Sequence, residues 1–383
     1  MIRKNYLPFA KPHITEDEIH AVTEVIKSGW WTTGPKVEEF EFMLSQYLQD
    51  KNQDAIYAIA LNSCTSALFL SLLALNITAE DEVIVPTWTF TATAHVVEWI
   101  GAKVILCDIE EGSLNIDINK AERLITTKTK AIIPVHMAGY PYDIDSMSSL
   151  ADKYNLKVVE DAAHAIGTKY YEKKIGHFSD TTCFSFYATK NLAMGEGGAV
   201  VSSNKKTIEK LRKIAYFGIN KDAFKRYDAG GTWKYDVENL GYKCNLDSLN
   251  AALGLVQLKK LDSMIQRRRE IASIYKSKLD KRIAFTKDDN SHYHTYHLFM
   301  IRVPEEIISR DNLSLELKKR NIGTSVHFIP LHLHSYYKNR FCNSNFDIAN
   351  KVYQNILSLP LYPSMTNEDI DYVIYHVNDI LSH

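Results

Sequence analysis

Short apolar runs alternate with amphipathic stretches through the first half of the chain. The runs are rich in Val and Ile and are bounded by polar residues, Gly or Pro, which is typical of buried strands. They cover residues 55–61, 82–85, 103–107, 131–135 and 157–159. The stretches between them have helical spacing at residues 66–75, 91–100 and 144–154. This alternation predicts an α/β fold with a mostly parallel central sheet flanked by helices.

Capping residues mark the helices that precede this alternation. Thr15 and Glu18 have the spacing of a capping box at the start of a helix, and Gly29 is a suitable end for that helix. A second helix is predicted over residues 36–48. The N-terminal segment is therefore helical and is expected to belong to the large domain.

The middle of the chain departs from the alternation. Apolar runs at 181–186 and 198–202 follow each other without a long helix between them, so they are predicted to form a hairpin or an antiparallel insertion. Residues 204–216 have helical spacing. Residues 218–243 have no clear period and contain the turn signal Gly230-Gly231, so we interpret them as a long surface loop.

The last third of the chain predicts a smaller α+β domain. A long helix over residues 248–279, bent near residue 260, links the two parts, so the predicted domains are 1–260 and 261–383. Strands are predicted at 297–303 and 324–327. Helices are predicted at 313–320, 346–356 and 367–381.

Composition narrows the class of protein. The chain has 383 residues, with 45 basic and 46 acidic ones, which argues against a nucleic-acid binder that relies on a basic surface. No run of about 18 apolar residues predicts a membrane span, and residues 1–12 lack the apolar core of a signal peptide. The five cysteines form no C-x-x-C pair. We expect a cytoplasmic protein without disulfides.

Chemically useful residues follow the strand-like runs, at the sheet edge where ligands bind. Asp161 follows a buried run and suits a carboxylate beside a pyridine nitrogen, although capping the next turn is an alternative role. Lys190 follows the run at 181–186 and is flanked by glycines. Burial there would lower its pKa and make it a nucleophile, whereas a solvated surface lysine is the alternative.

Two more groups complete this set. The small residues 63–66, three of which have hydroxyl groups, precede an apolar helix and suit either a phosphate site or an ordinary helix cap. Trp88 follows the run at 82–85 and suits either stacking on a planar ring or burial in the core. A phosphate cradle, a stacking ring, a carboxylate and an amine are together what a planar phosphorylated aldehyde cofactor uses.

The sequence resembles the DegT/DnrJ/StrS family of nucleotide-sugar aminotransferases, which bind pyridoxal 5'-phosphate (PLP) and have the fold type I architecture. The resemblance runs nearly end to end. It is carried by the blocks KSGWWTTGPKVEEFE, NSCTSAL, VVEDAAHAIGT, FSFYATKNLAMGEGG, GYKCNLDSLNAALGLVQL and SVHFIPLHLHSYY.

The resemblance implies roles for individual residues. Lys190 would form the Schiff base with PLP, Asp161 would pair with the pyridine nitrogen, and His164 would approach the phenolic oxygen. Trp88 would lie over the ring. The phosphate would be held by Thr65, Ser66, Ser185 and, from a neighbouring subunit, Asn245. A homodimer with shared active sites is thus implied.

One position departs from the family pattern. The family usually has Gly where this chain has Cys64. A Cys would be strained there if the backbone needed a positive φ.

The implied activity is amino transfer from glutamate to a nucleotide-linked keto-sugar. The block TKNLAMGEGG is more similar to family members that aminate the sugar at C4 than to those that aminate it at C3. This similarity suggests a 4-keto-6-deoxyhexose as the acceptor. Trp30, Thr33 and His327 are candidates for the sugar-nucleotide pocket, with packing as the alternative. A PLP-dependent dehydratase and a non-catalytic regulator on the same fold are alternatives that Lys190 and Asp161 disfavour. No metal site is expected, since the histidine clusters lack a ligand pattern.

Overall fold

The computed structural model describes residues 2–49, 55–219, 235–289, 291–342 and 344–382. Most of the predicted loop at 218–243, including Gly230-Gly231, lies outside these residues.

Strands and helices have the following bounds along the chain. The strands are β1 (Tyr57–Leu61), β2 (Glu82–Pro86), β3 (Lys103–Cys107), β4 (Thr129–Ile132), β5 (Lys157–Asp161), β6 (Lys169–Tyr170), β7 (Lys173–Lys174), β8 (Thr181–Ser185), β9 (Gly198–Ser202), β10 (Ala284–Phe285), β11 (His292–Tyr293), β12 (Phe299–Arg302) and β13 (Ile356–Leu359). The helices are α1 (Glu16–Ser28), α2 (Pro35–Leu48), α3 (Cys64–Ala74), α4 (Ala92–Ile100), α5 (Ile118–Arg123), α6 (Ile144–Tyr154), α7 (Lys205–Ile214), α8 (Ser248–Lys278), α9 (Arg310–Lys319), α10 (Ser335–Lys338), α11 (Asp347–Asn355) and α12 (Asn367–Leu381).

A seven-stranded sheet in the order β1-β9-β8-β5-β4-β2-β3 forms the centre of the molecule. β2, β3, β4, β5 and β8 run parallel, whereas β9 is antiparallel to both β8 and β1. Gly198 faces Leu61 on one side and Ser185 on the other. The predicted mostly parallel sheet is confirmed, and the runs at 181–186 and 198–202 form the predicted antiparallel pair.

Helices cover both faces of this sheet and bury its Val and Ile side chains in two separate cores. One core contains Leu68 of α3, Val96 of α4 and Leu211 of α7. The other contains Phe40 of α2 and Leu258 of α8. The strands are buried on both faces, which explains why they are continuous apolar runs in the sequence.

The N-terminal helix confirms the capping signals. The backbone N–H of Thr15 donates to the Glu18 carboxylate at 2.8 Å, and α1 ends at Gly29 with a φ of 72°. Among the helices that the structure describes, none is long and apolar enough to cross a membrane.

A second, three-stranded antiparallel sheet lies in the C-terminal part, in the order β10-β12-β13. It shares a third core with α9, α12 and the second half of α8, to which Ile271, Phe299 and Val373 belong. Helix α8 runs continuously through residue 260, because its first half packs on α1 and α2 and its second half joins this third core. The domain boundary at 260 stays a prediction.

Three predictions for local structure were wrong or incomplete. Residues 324–327 make only one isolated bridge, Ser325 to Ser358, instead of a strand. Ile356 begins β13, although the periodicity assigned it to a helix. The small sheet β11-β6-β7 was not predicted, since its strands of two residues each are too short to produce a pattern.

Candidate active site

A cavity of about 370 Å³ opens at the carboxyl ends of the parallel strands. Segments that follow β1, β2, β5 and β8 line one side of it, at the edge where open α/β sheets bind ligands. The opposite side comes from Phe9 near the N-terminus and from the C-terminal part, including His297, Phe328 and Leu361. The cavity therefore lies between the central sheet and the smaller C-terminal part.

Lys190 lines this cavity from the loop between β8 and β9. A turn fixes the loop, since the Lys190 backbone N–H donates to the Tyr187 carbonyl at 2.8 Å. The side chain is partly buried, and its amine makes no hydrogen bond or ion pair with any residue that the structure describes. Removal from water lowers the pKa of Lys190 from 10.5 to about 8, although Asp161 and Cys64 oppose the shift. An appreciable fraction of this amine is thus neutral and nucleophilic near neutral pH.

Asp161 is the last residue of β5 and is buried at the floor of the cavity. One carboxylate oxygen accepts from the Thr93 hydroxyl at 2.8 Å, and the other accepts from the Ala163 backbone N–H at 3.1 Å. Burial raises the pKa of Asp161, while these two hydrogen bonds oppose the shift. Asp161 thus caps a turn, as the alternative interpretation proposed, and also lines the cavity. Such a buried carboxylate is suited to bind a protonated ring nitrogen.

His164 lies beside Asp161 on the cavity wall and is buried. Its Nδ1 accepts from the Ala138 backbone N–H at 3.3 Å. Burial, together with the positive charge of Lys190, holds the pKa of His164 well below its ordinary value, so the ring is neutral. Since Nδ1 accepts, the ring proton is on Nε2, and His164 offers an N–H donor. A phenolic oxygen is a suitable acceptor for it.

Phe90 lines the cavity and Trp88 does not, so the stacking of Trp88 on a cofactor ring stays a prediction. Trp88 is fully buried, does not line the cavity, and donates its indole N–H to the His327 carbonyl at 3.2 Å. Phe90, two residues later, lines the cavity and has 60% of its surface exposed. The sequence signal was an aromatic after β2, and it did not distinguish the buried ring from the exposed one.

The start of α3, where a phosphate cradle was predicted, lies at the cavity. Ser63, Thr65 and Ser185 line the cavity, and the first N–H groups of α3 have no acceptors within the helix. A Cβ on Gly198 would lie 2.4 Å from the Cys64 nitrogen, so only glycine allows β9 to approach α3 this closely. Ser66 does not line the cavity, because its hydroxyl donates to Asn62 at 2.7 Å. Ser63 thus lines the cavity although it was not predicted, and the role of Ser66 stays a prediction.

Cys64 is accommodated without backbone strain. It is the first residue of α3 and does not have a positive φ. Its thiol donates to the Cys183 carbonyl at 3.6 Å, and burial raises its pKa well above the ordinary value. The thiol is thus a packed, protonated group in the cavity wall.

Comparison with known proteins agrees with this geometry. The sequence profile of the DegT/DnrJ/EryC1/StrS aminotransferase family matches residues 12–378. The chain belongs to this family. It is 44% identical to the spore coat polysaccharide biosynthesis protein SpsC of Bacillus subtilis, over 99% of this chain and 98% of SpsC.

Two solved structures show the same fold over whole chains. The PLP form of Spr1654 from Streptococcus pneumoniae is 34% identical, with a TM-score of 0.89 over 98% of this chain and 99% of that one. Helicobacter pylori PseC, an aminotransferase involved in the biosynthesis of pseudoaminic acid, is 28% identical, with a TM-score of 0.87 over 99% of this chain and 100% of that one. The protein is a PLP-dependent sugar aminotransferase of fold type I.

The cavity of this sugar aminotransferase has the groups that PLP needs. An amine with no partner among the described residues (Lys190), a buried carboxylate (Asp161) and an N–H donor (His164) line one space, and a helix N-terminus opens into it. The exposed ring of Phe90 lies at the same cavity. The residues present therefore fit the cofactor of the family.

The residues predicted for the sugar nucleotide separate into two places. His327 lines the cavity, its Nδ1 is 2.9 Å from the Ser358 hydroxyl, and its ring stacks on Phe9. Trp30 and Thr33 instead join Asn245 outside the cavity of this chain. The Trp30 indole donates to the Thr33 carbonyl at 3.0 Å, and the Asn245 amide donates to the Thr33 hydroxyl. The structure thus brings these three residues together, but away from Lys190.

Sequence reasoning missed several residues of the cavity. Phe9, Phe328 and Leu361 give it an apolar wall, and Glu196 contributes an exposed carboxylate. His297, which belongs to one of the histidine clusters of the sequence, lines the cavity as well. In the part of the chain that is described, no cluster of His, Cys, Asp or Glu has the arrangement of a metal site.

Proposed function

We propose that this sugar aminotransferase transfers the amino group of glutamate to a nucleotide-linked 4-keto-6-deoxyhexose in a ping-pong reaction. The observation that carries the proposal is the partly buried amine of Lys190, which has no partner among the described residues and lies in one cavity with Asp161 and His164. The relative SpsC supports a product used in polysaccharide biosynthesis.

The proposed mechanism gives each of these residues one task. Lys190 would hold PLP covalently through Nζ, and with Nζ free it would accept and return the proton that the amino donor gives up. PLP supplies an electron sink when it is bound. Asp161 would keep the pyridine nitrogen protonated, and His164 would donate to the phenolic oxygen. The N-terminus of α3, with Thr65 and Ser185, would hold the phosphate.

The cavity wall opposite the sheet supports a neutral deoxy sugar as the acceptor. Phe9, Leu298, Phe328, Leu359 and Leu361 form an apolar surface against which a methyl group is favoured over a hydroxyl. Among the described residues that line the cavity, Lys190 is the single Lys or Arg. A sugar carboxylate would find no other cation there.

A homodimer completes the proposed site. Asn245, Thr33 and Trp30 are half-buried, are linked by hydrogen bonds, and do not line the cavity of their own chain. We therefore assign Asn245 to the PLP phosphate, and Trp30 and Thr33 to the sugar nucleotide, of a second subunit. The five cysteines are all unpaired, which supports a reducing, cytoplasmic location.

The test is a visible absorption titration of the purified protein. PLP should produce a yellow band, glutamate should bleach it, and a UDP-, GDP- or dTDP-linked 4-keto-6-deoxyhexose should restore it and yield an amino sugar. Lys190→Ala should stay folded and lose turnover. Lys210→Ala is the matched control, since Lys210 is also partly buried but bonds the Ala74 carbonyl outside the cavity.

Two results would contradict the proposal. Retained turnover in Lys190→Ala would remove the assigned role of this lysine. A band that ignores glutamate, with release of a deoxygenated sugar, would favour the dehydratase activity.

A further inference from the structure

The ring of His297 lies between His164 and Asn191, which is the next residue in the chain after Lys190. It is buried, lines the cavity, and precedes β12. Its backbone is fixed from two sides, because its N–H donates to the Ala138 carbonyl at 2.8 Å and its carbonyl accepts from Arg268 at 3.4 Å. Its ring lies 4.4 Å from the ring of His164, at an angle of 35°.

Asn191, the neighbour of Lys190 in the chain, holds the other side of the His297 ring. The two residues meet through His297 Nδ1 and Asn191 Oδ1 at 3.4 Å. Because Oδ1 only accepts, Nδ1 carries the ring proton. Asn191 is 4% exposed, and its amide nitrogen has no hydrogen-bond partner, so this contact is its one side-chain bond among the described residues.

The surroundings of His297 keep its ring neutral. The titratable and charged groups near it are His164, Lys190, Arg268 and His327, and none of them is a carboxylate. Burial and these groups hold the pKa of His297 well below its ordinary value. His164 and His297 are thus two packed neutral rings with opposite tautomers, the proton being on Nε2 of the first and on Nδ1 of the second.

We propose that His297 is a positioning residue that couples the Lys190 loop to His164, so that the His164 N–H points at the phenolic oxygen of PLP. The proposal rests on the proposed role of His164. The geometry that carries it is the chain of contacts from Lys190 through Asn191 and His297 to His164. His297 acts through the two neighbouring side chains and not on the substrate itself.

The proposal predicts a change in proton affinity at the Lys190 nitrogen of the PLP-loaded enzyme. A hydrogen bond from His164 to the phenolic oxygen competes with the one that this oxygen accepts from the Lys190 nitrogen. If His164 is less well positioned, the Lys190 nitrogen therefore binds its proton more tightly. The visible band of bound PLP should titrate at higher pH, by about 0.5 unit for a partly weakened hydrogen bond.

A double-mutant cycle measures this coupling. The pH midpoint of the visible band is determined for the parent, His297→Phe, His164→Ala and the double variant. His297→Phe should raise the midpoint in the parent and leave it unchanged when His164 is already absent. His294→Phe is the matched control, since His294 is buried but packs on Tyr296 outside the cavity and should cause no shift.

Asn191→Ala provides a second variant in case His297→Phe does not fold. It should raise the midpoint in the same direction, because the ring of His297 loses its acceptor. Absence of a shift, an equal shift with and without His164, or an equal shift in His294→Phe would overturn the role of His297. A parent enzyme that forms no visible band would instead contradict the role of Lys190, and with it this proposal.

Discussion

Gly198→Ala tests the close approach of β9 and α3, on which the proposed phosphate cradle depends. The added Cβ would lie 2.4 Å from the Cys64 nitrogen and from the Ser63 carbonyl carbon, where ordinary contact begins at 3.4 Å. Both are backbone atoms and cannot rotate away, so α3 or β9 must move by about 1 Å, at a cost of about 1–3 kcal/mol in the free energy of unfolding.

The same displacement should weaken PLP binding. Moving the first N–H groups of α3 would lose about one charge-assisted hydrogen bond to the phosphate, worth about 1.5 kcal/mol, or roughly tenfold in Kd. Gly112→Ala is the control, because its Cβ would be 3.8 Å from Lys287 in ordinary contact.

Urea unfolding measures the stability and an absorption titration measures the Kd. A Gly198→Ala protein with the stability and PLP affinity of the parent would refute this account of the cradle.

Lysine titration, pH-dependent stability and two aromatic residues provide further tests. Competitive acylation followed by peptide mass spectrometry measures the titration midpoint of each lysine amine. In the cofactor-free protein the midpoint of Lys190 should lie near pH 8, and that of Lys153, whose pKa is raised by Glu122, should lie above the ordinary lysine range. A midpoint near 10.5 for Lys190 would contradict its burial. Below pH 8, cofactor-free Lys190→Met should unfold at a higher urea concentration than the parent, because Lys190 binds its proton more weakly in the folded protein than in the unfolded chain. This difference should vanish towards pH 10.5, where the lysine of the unfolded parent also loses its proton. A difference that does not change with pH would contradict this linkage. Phe90→Ala should lose about 0.5–1.5 kcal/mol of PLP binding free energy and keep the stability of the parent. Trp88→Ala should instead lose about 3–5 kcal/mol in the free energy of unfolding. The reverse pattern would favour Trp88 as the stacking ring.

The sequence predicted the elements whose pattern is local. Strands such as β2 and β5 are buried on both faces and stand out as Val and Ile runs between polar ends. Asp161 ends β5 and Lys190 lies in the loop after β8, so strand prediction alone placed them at one edge of the sheet. The capping pair Thr15 and Glu18 was recognisable because both partners lie within one helical turn.

Residues that meet through distant parts of the chain were not predictable in this way. Phe9 and His327 stack at 5.1 Å although more than 300 positions separate them. Ile356 enters β13 because β12 offers it hydrogen bonds, which its own periodicity does not reveal. Trp88 is buried and Phe90 is exposed, and tertiary packing, which the local sequence does not reveal, decides this difference.

The most direct test of the central claim is to identify the lysine that binds PLP. The PLP-loaded protein is reduced with borohydride, digested and mapped by mass spectrometry. The account predicts that the phosphopyridoxyl group is on the peptide that contains Lys190. Its presence on another lysine, or on none, would contradict the assignment of Lys190 and the mechanism built on it.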